Sequence, residues 1–120
     1  MKICWITINV KNMETSLQFY TEIMNMTVKS RFSPQPGLDI CFLDGGTAAL
    51  ELISKKDGRD ISYGKDVSIG FEVDSLEATI AQLKEKGISN ITGPIQPTPG
   101  TSFIFITDPD GMRLQLSEHK

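Results

Sequence analysis

Apolar and polar positions alternate along Lys2–Val10, which is rich in β-branched residues and predicts a strand. A period of two puts Ile6, Ile8 and Val10 on one face and Trp5, Thr7 and Asn9 on the other. The spacing then changes to three and four. Met13, Leu17, Tyr20 and Met24 form one stripe, which predicts a helix over about Met13–Met24 that packs on a sheet. Asn12 is a suitable N-cap, and Asn25 can close the helix. Thr27–Phe32 reads as a strand. Ser33-Pro34-Gln35-Pro36-Gly37 reads as a loop, because two prolines deny ladder hydrogen bonds. Leu38–Leu43 and Thr47–Ile53 read as strands joined by the hairpin signal Asp44-Gly45-Gly46.

The pattern then restarts. Trp5–Val10, followed by a helix-like stretch, is matched by Ser68–Val73 and another such stretch, at a constant offset of 63 residues. Val10 falls on Val73, Met13 on Leu76, Glu14 on Glu77 and Leu17 on Ile80. Few identities match, but a recurrence of elements at half the chain length governs architecture. In the second half Asp66–Val73 is the predicted strand. Asp74 and Glu77 have capping-box spacing, and the helix runs to about Lys86 with Gly87 as its stop. Ile91-Thr92 is a short strand, and Gly93–Gly100, with three prolines, is a loop bordering a pocket. Ser102–Thr107 and Met112–Ser117 flank Asp108-Pro109-Asp110-Gly111. There Pro109 presets φ, Asp108 bonds back to the backbone and Gly111 accepts positive φ. Each half is therefore βαβββ: module 1 over about 1–54, a linker over 55–65 and module 2 over about 66–118. The linker is polar, with alternating charge. A solvated connector suits it better than an anion loop, since no helix follows it.

At 120 residues the chain has room for one domain. A hydrophobic content of 39%, a charged content of 22% and a net charge of −3 suit an ordinary globular protein. There is no basic block for nucleic acid and no apolar run of membrane length. The first residues start a strand without a signal-peptide pattern, so the expected location is the cytoplasm. Cys4 and Cys41 lack zinc or redox spacing and are expected to be reduced, buried thiols.

Two βαβββ modules, a first strand ending in Asn9-Val10, the Phe19-Tyr20 pair, and Asp108-Pro109-Asp110-Gly111 leading into Leu114-Gln115-Leu116 resemble the vicinal oxygen chelate superfamily. That group includes glyoxalase I, extradiol dioxygenases, fosfomycin-resistance enzymes and bleomycin-binding proteins. The resemblance implies a single α+β domain over 1–120. Its two modules would form one curved, mixed, mostly antiparallel sheet with the helices on the convex side. It also implies pairing into a homodimer, which closes an open sheet surface.

In metal-dependent members a divalent ion is held by residues of the first and last strands of each module. Carried over by motif, those positions are Trp5, Glu51, Ser68 and Gln115. Trp offers a metal no lone pair, and one carboxylate, one hydroxyl and one amide make a poor transition-metal set. The single histidine, His119, reads as a solvated tail residue. The expectation is therefore no metal and no cofactor.

Alternation places Ser68, Gly70 and Glu72 on the face equivalent to that of Trp5, Thr7 and Asn9. A type I turn with a Gly111 bulge pairs Phe105 with Gln115 and Phe103 with Ser117 on that face; a slip of one residue would substitute Ile104 and Ile106. Trp5, Thr7, Asn9, Ser68, Gly70, Phe103, Phe105 and Gln115 are thus the expected ligand contacts, with Glu51 as the candidate catalytic or anchoring carboxylate. Trp5 serves core filling and ligand stacking equally well. Glu51 is either functional or paired with Arg31 or Arg113, and Ser68 and Gln115 suit ordinary strand positions as well as contacts. Two classes of function remain. One is metal-free sequestration of a small aromatic or cationic organic molecule, as in bleomycin-resistance proteins. The other is a glyoxalase-type lyase or isomerase with Glu51 as general base. A metal-dependent glyoxalase or dioxygenase with atypical ligands is the third option.

Overall fold

The computed structural model describes all residues, Met1–Lys120, as two compact units, Met1–Ser62 and Tyr63–Lys120. The fold is α+β. Each unit is a βαβββ module with one four-stranded mixed sheet.

In the first unit, β1 (Trp5–Asn9), β2 (Thr27–Gln35), β3 (Leu38–Asp44) and β4 (Ala49–Lys55) lie in the order β1-β4-β3-β2. β1 runs parallel to β4 and the other pairs are antiparallel. One face is the core: Ile8, Cys41, Leu43, Leu50 and Leu52 are buried there, beneath the helix α1 (Met13–Gln18). The Asn12 side chain caps that helix, accepting from the Thr15 N–H at 2.9 Å. The helix does not stay α to Met24. It ends in a π turn, Phe19–Ile23, closed by Met24 N–H to Phe19 O at 3.1 Å. The wider turn lets the consecutive residues Phe19 and Tyr20 both point inward, edge to face at 5.2 Å. Asn25 then stops the chain at φ 58.

In the second unit, β5 (Ser68–Glu72), β6 (Thr92–Thr98), β7 (Thr101–Thr107) and β8 (Arg113–His119) repeat the order, as β5-β8-β7-β6. β5 is parallel to β8. The helix α2 (Leu76–Glu85) packs on β8 and buries Leu76 and Leu83. Its start differs by one residue from the capping-box prediction. Ser75 is the cap, accepting from the Ala78 N–H, because Glu118 Oε1 on β8 takes the Leu76 N–H at 3.0 Å. Gly87, at φ 85, ends the helix; its N–H reaches Lys84 O, and the Ile88 N–H reaches Leu83 O.

The two proline-rich segments expected to be loops are largely strand. Ser33-Pro34-Gln35 belongs to β2 and Gly93–Thr98 to β6. Both are edge strands, and Pro34, Pro94 and Pro97 fall in the irregular stretches between paired residues. There a missing N–H breaks no ladder bond, which is why proline is tolerated. The Asp108 turn forms as expected. Its Oδ1 accepts from Asp110 N–H at 2.9 Å and Met112 N–H at 2.8 Å, with Gly111 at φ 90. No helix is long and apolar enough to cross a membrane.

Candidate functional site

Strand pairing sorts the expected site residues into cross-strand rows on the sheet face away from the core. In the first unit, Thr7, Glu51, Phe42 and Ser30 form one row across β1, β4, β3 and β2. The next row is Asn9, Ile53, Ile40 and Phe32. Trp5 stands beyond the first row, opposite Ala49.

Trp5 is not core filling within its unit: it is 52% exposed. Its ring meets Phe42 edge-on at 5.7 Å, and Phe42 stacks on Phe32 at 6.5 Å and 16°. Three rings therefore run diagonally across the sheet face, and Phe32 is 48% exposed. Exposed aromatic faces of this kind offer stacking area and are not part of the unit's folding core. Beside them the Thr7 hydroxyl donates to Glu51 Oε1 at 2.5 Å, leaving Oε2 for another donor. Arg31 does not pair with Glu51. Arg31 bridges Glu14 and Asp39, at 2.5 and 2.8 Å, and these two acids hold its pKa above the ordinary value. Arg113 lies over a ring in the other unit. The salt bridge envisaged between Glu51 and Arg31 is thus absent.

A groove of about 940 Å³ opens at one end of the same unit, lined by Asn9, Arg31, Phe32, Leu38, Ile53 and residues 55–61. Trp5, Phe42 and Glu51 are not among its walls. The groove's charges are largely balanced among themselves, and Phe32 joins the groove to the aromatic run.

The second unit repeats the arrangement with softer chemistry. Gly70, Gln115, Phe105 and Thr92 form the row equivalent to Thr7, Glu51, Phe42 and Ser30. Phe105 pairs with Gln115 and Phe103 with Ser117, the register expected from the turn. The two phenyl rings meet edge to face at 5.5 Å. A Cβ on Gly70 would sit 3.6 Å from the Gln115 amide oxygen, an ordinary contact that leaves room for a small side chain there. Ser68 is exposed opposite Arg113. His119 is no free tail residue: a ring nitrogen lies 2.9 Å from Ser117 Oγ. Cys41 is buried as expected, whereas Cys4 is exposed.

Phe42, Phe32 and Arg113 were not singled out from the sequence as site residues. A signal for the first existed. The 63-residue offset that relates Trp5 to Ser68 also relates Phe42 to Phe105. Phe32 had no such signal, because the β2 irregularities decide which face it takes.

The donors at the four metal-ligand positions do not fit a divalent transition metal. Trp5 supplies none, Glu51 is engaged by Thr7, and Ser68 and Gln115 are neutral oxygen donors. No group of three or more His, Cys, Asp or Glu side chains is assembled for such an ion.

Residues 2–116 match the family described as the Glyoxalase/Bleomycin resistance protein/Dioxygenase superfamily. A lactoylglutathione lyase of Haemophilus influenzae is 28% identical, covering 100% of this chain and 94% of its own. Among solved structures, a glyoxalase family protein from Enterococcus faecalis is 26% identical with a TM-score of 0.77, covering 98% of this chain and 97% of its own. TnmS3, an antibiotic binding protein from Streptomyces sp. CB03234, is 20% identical with a TM-score of 0.78, covering 100% and 97%.

Proposed function

Because this chain belongs to the Glyoxalase/Bleomycin resistance protein/Dioxygenase superfamily yet has donors unsuited to a transition metal, we propose that it binds a small, planar aromatic molecule bearing a cation or hydrogen-bond donor. The observation that carries this reading is the exposed run Trp5–Phe42–Phe32 beside the Glu51 carboxylate. The rings offer stacking area, and Glu51 Oε2 offers one directional anchor. The antibiotic-binding neighbour supports sequestration as a use of this fold.

Trp5 is the only tryptophan, so tryptophan emission, excited where the two tyrosines do not absorb, reports on this surface alone. Titration with planar aromatic amines, and with bleomycin for comparison, should quench it saturably. Quenching that is linear and unsaturable for every compound would contradict the proposal.

The lactoylglutathione lyase relatives favour a second reading, an isomerising lyase with Glu51 as general base. Turnover to lactoylglutathione that persists after exhaustive chelation and is lost in Glu51→Gln would establish it.

Pairing of two copies is part of the proposal. The edge strands leave Val28 and Ile95 exposed, and isologous pairing is the usual cover for such surfaces. Sedimentation should give a dimer; a 13.3 kDa monomer at micromolar concentration would refute it.

A further inference from the structure

The chain has three arginines. Arg31 pairs with Glu14 and Asp39, and Arg59 lies 4.0 Å from Asp57. Arg113 has no carboxylate partner. Its guanidinium carbon sits 3.8 Å from the centroid of the Phe105 ring instead. Register explains the pose. Arg113 lies opposite Thr107 and Phe105 opposite Gln115, so the arginine leans diagonally across one face of the sheet. Stacking occupies a flat face of the guanidinium and leaves its N–H edges open. Those edges form the planar fork that matches two oxygens of an oxyanion.

The surroundings suit such a ligand. Arg113 and Phe105 border a depression of about 270 Å³, completed by Lys65, Asn90, Thr92, Thr107 and the Gly64 and Gly111 backbones. Its walls carry two cations, three neutral polar side chains and no acid, in a chain of net charge −3. The volume lies just below the roughly 300 Å³ at which drug-sized ligands begin, so the fitting molecule is small. Asp108, next to Thr107 in the chain, is buried, with Oδ1 turned to the backbone N–H groups of Asp110 and Met112.

We infer that the Arg113–Phe105 platform, with Lys65, Thr92 and Thr107, is a binding site for a small oxyanion, a carboxylate or a phosphate group. It uses only residues of the second unit. It therefore stands whether or not the aromatic row binds a ligand.

The test is amide-resolved NMR titration of the whole protein with sodium acetate and, separately, inorganic phosphate, against chloride at equal ionic strength. Saturable shifts confined to Thr92, Phe105, Thr107, Gly111 and Arg113 are expected with at least one oxyanion and not with chloride. Saturation by acetate alone assigns a carboxylate, and by phosphate alone a phosphate; saturation by both supports a general oxyanion site. Arg113→Gln should abolish the shifts. Arg113→Lys, which keeps the charge and loses the fork, should weaken binding roughly tenfold, the equivalent of one charge-assisted hydrogen bond. Unperturbed Ile104 and Leu116 resonances would show that both variants fold. The inference is overturned if neither oxyanion saturates, if chloride does the same, or if the shifts survive in Arg113→Gln.

Discussion

Thr7 and Glu51 are directly paired residues of the parallel strands β1 and β4, and the threonine hydroxyl donates to the carboxylate at 2.5 Å. The bond holds one oxygen of Glu51 toward Thr7 on β1 and leaves the other for a further donor. Glu51→Gln keeps the shape and leaves Thr7 an amide oxygen to bond, so stability should change by less than about 1 kcal/mol. Affinity for a cationic aromatic ligand should fall about tenfold, the equivalent of one charged hydrogen bond. Parallel urea unfolding and Trp5 fluorescence titration separate the two effects. Destabilisation with unchanged binding would make the carboxylate structural.

The aromatic row and the core should respond oppositely to truncation. Trp5 is half exposed and meets Phe42 only by an edge, so Trp5→Ala should cost no more than about 1–2 kcal/mol while removing aromatic binding. Binding in that variant is read by calorimetry, since its fluorescence is lost. Leu52, on the opposite face of β4, is fully buried, and Leu52→Ala should cost about 2–5 kcal/mol. Equal stability losses would mean that Trp5 belongs to a core.

Asp108 holds the β7–β8 turn through two backbone N–H groups, one of them at buried Met112. Asp108→Ala strands both donors and should destabilise by about 1–3 kcal/mol in chemical denaturation. Asp108→Asn keeps an acceptor at Oδ1 and should lose clearly less.

The two cysteines should differ in reactivity. Cys4 is exposed, while Cys41 is fully buried and burial raises its pKa above the ordinary 9.0. A thiol reagent should modify Cys4 in the native protein and Cys41 only on unfolding. The sign of the pH effect follows. Above pH 9 the unfolded thiol ionises while the folded one keeps its proton, so the unfolded state binds fewer protons and stability falls. The contribution is complete below the ordinary thiol value and is lost as pH rises through the folded one. Denaturation midpoints should fall more steeply across that range in the wild type than in Cys41→Ala, since Tyr63, also raised by burial, contributes equally to both.

What the sequence determined by itself is what depends on local chemistry and period. The alternation in Trp5–Asn9, the stripe from Met13 to Tyr20, the Asn12 cap, the Gly87 stop and the Asp108 turn were all legible. So was the 63-residue recurrence, since each of these features is carried by residues near one another or by simple repetition. Only the tertiary structure decided the rest. Pro34, Pro94 and Pro97 lie in strands because those strands are sheet edges, and edge position is a property of strand order. α2 starts at Leu76 because Glu118, from a distant strand, takes its N–H. Phe32, Phe42 and Trp5 meet on a diagonal across neighbouring rows, and Arg113 finds Phe105, through cross-strand register set by bulges and pairing. A one-residue shift in that register would move every side chain to the other face, so the makeup of the exposed sheet face is fixed by non-local pairing.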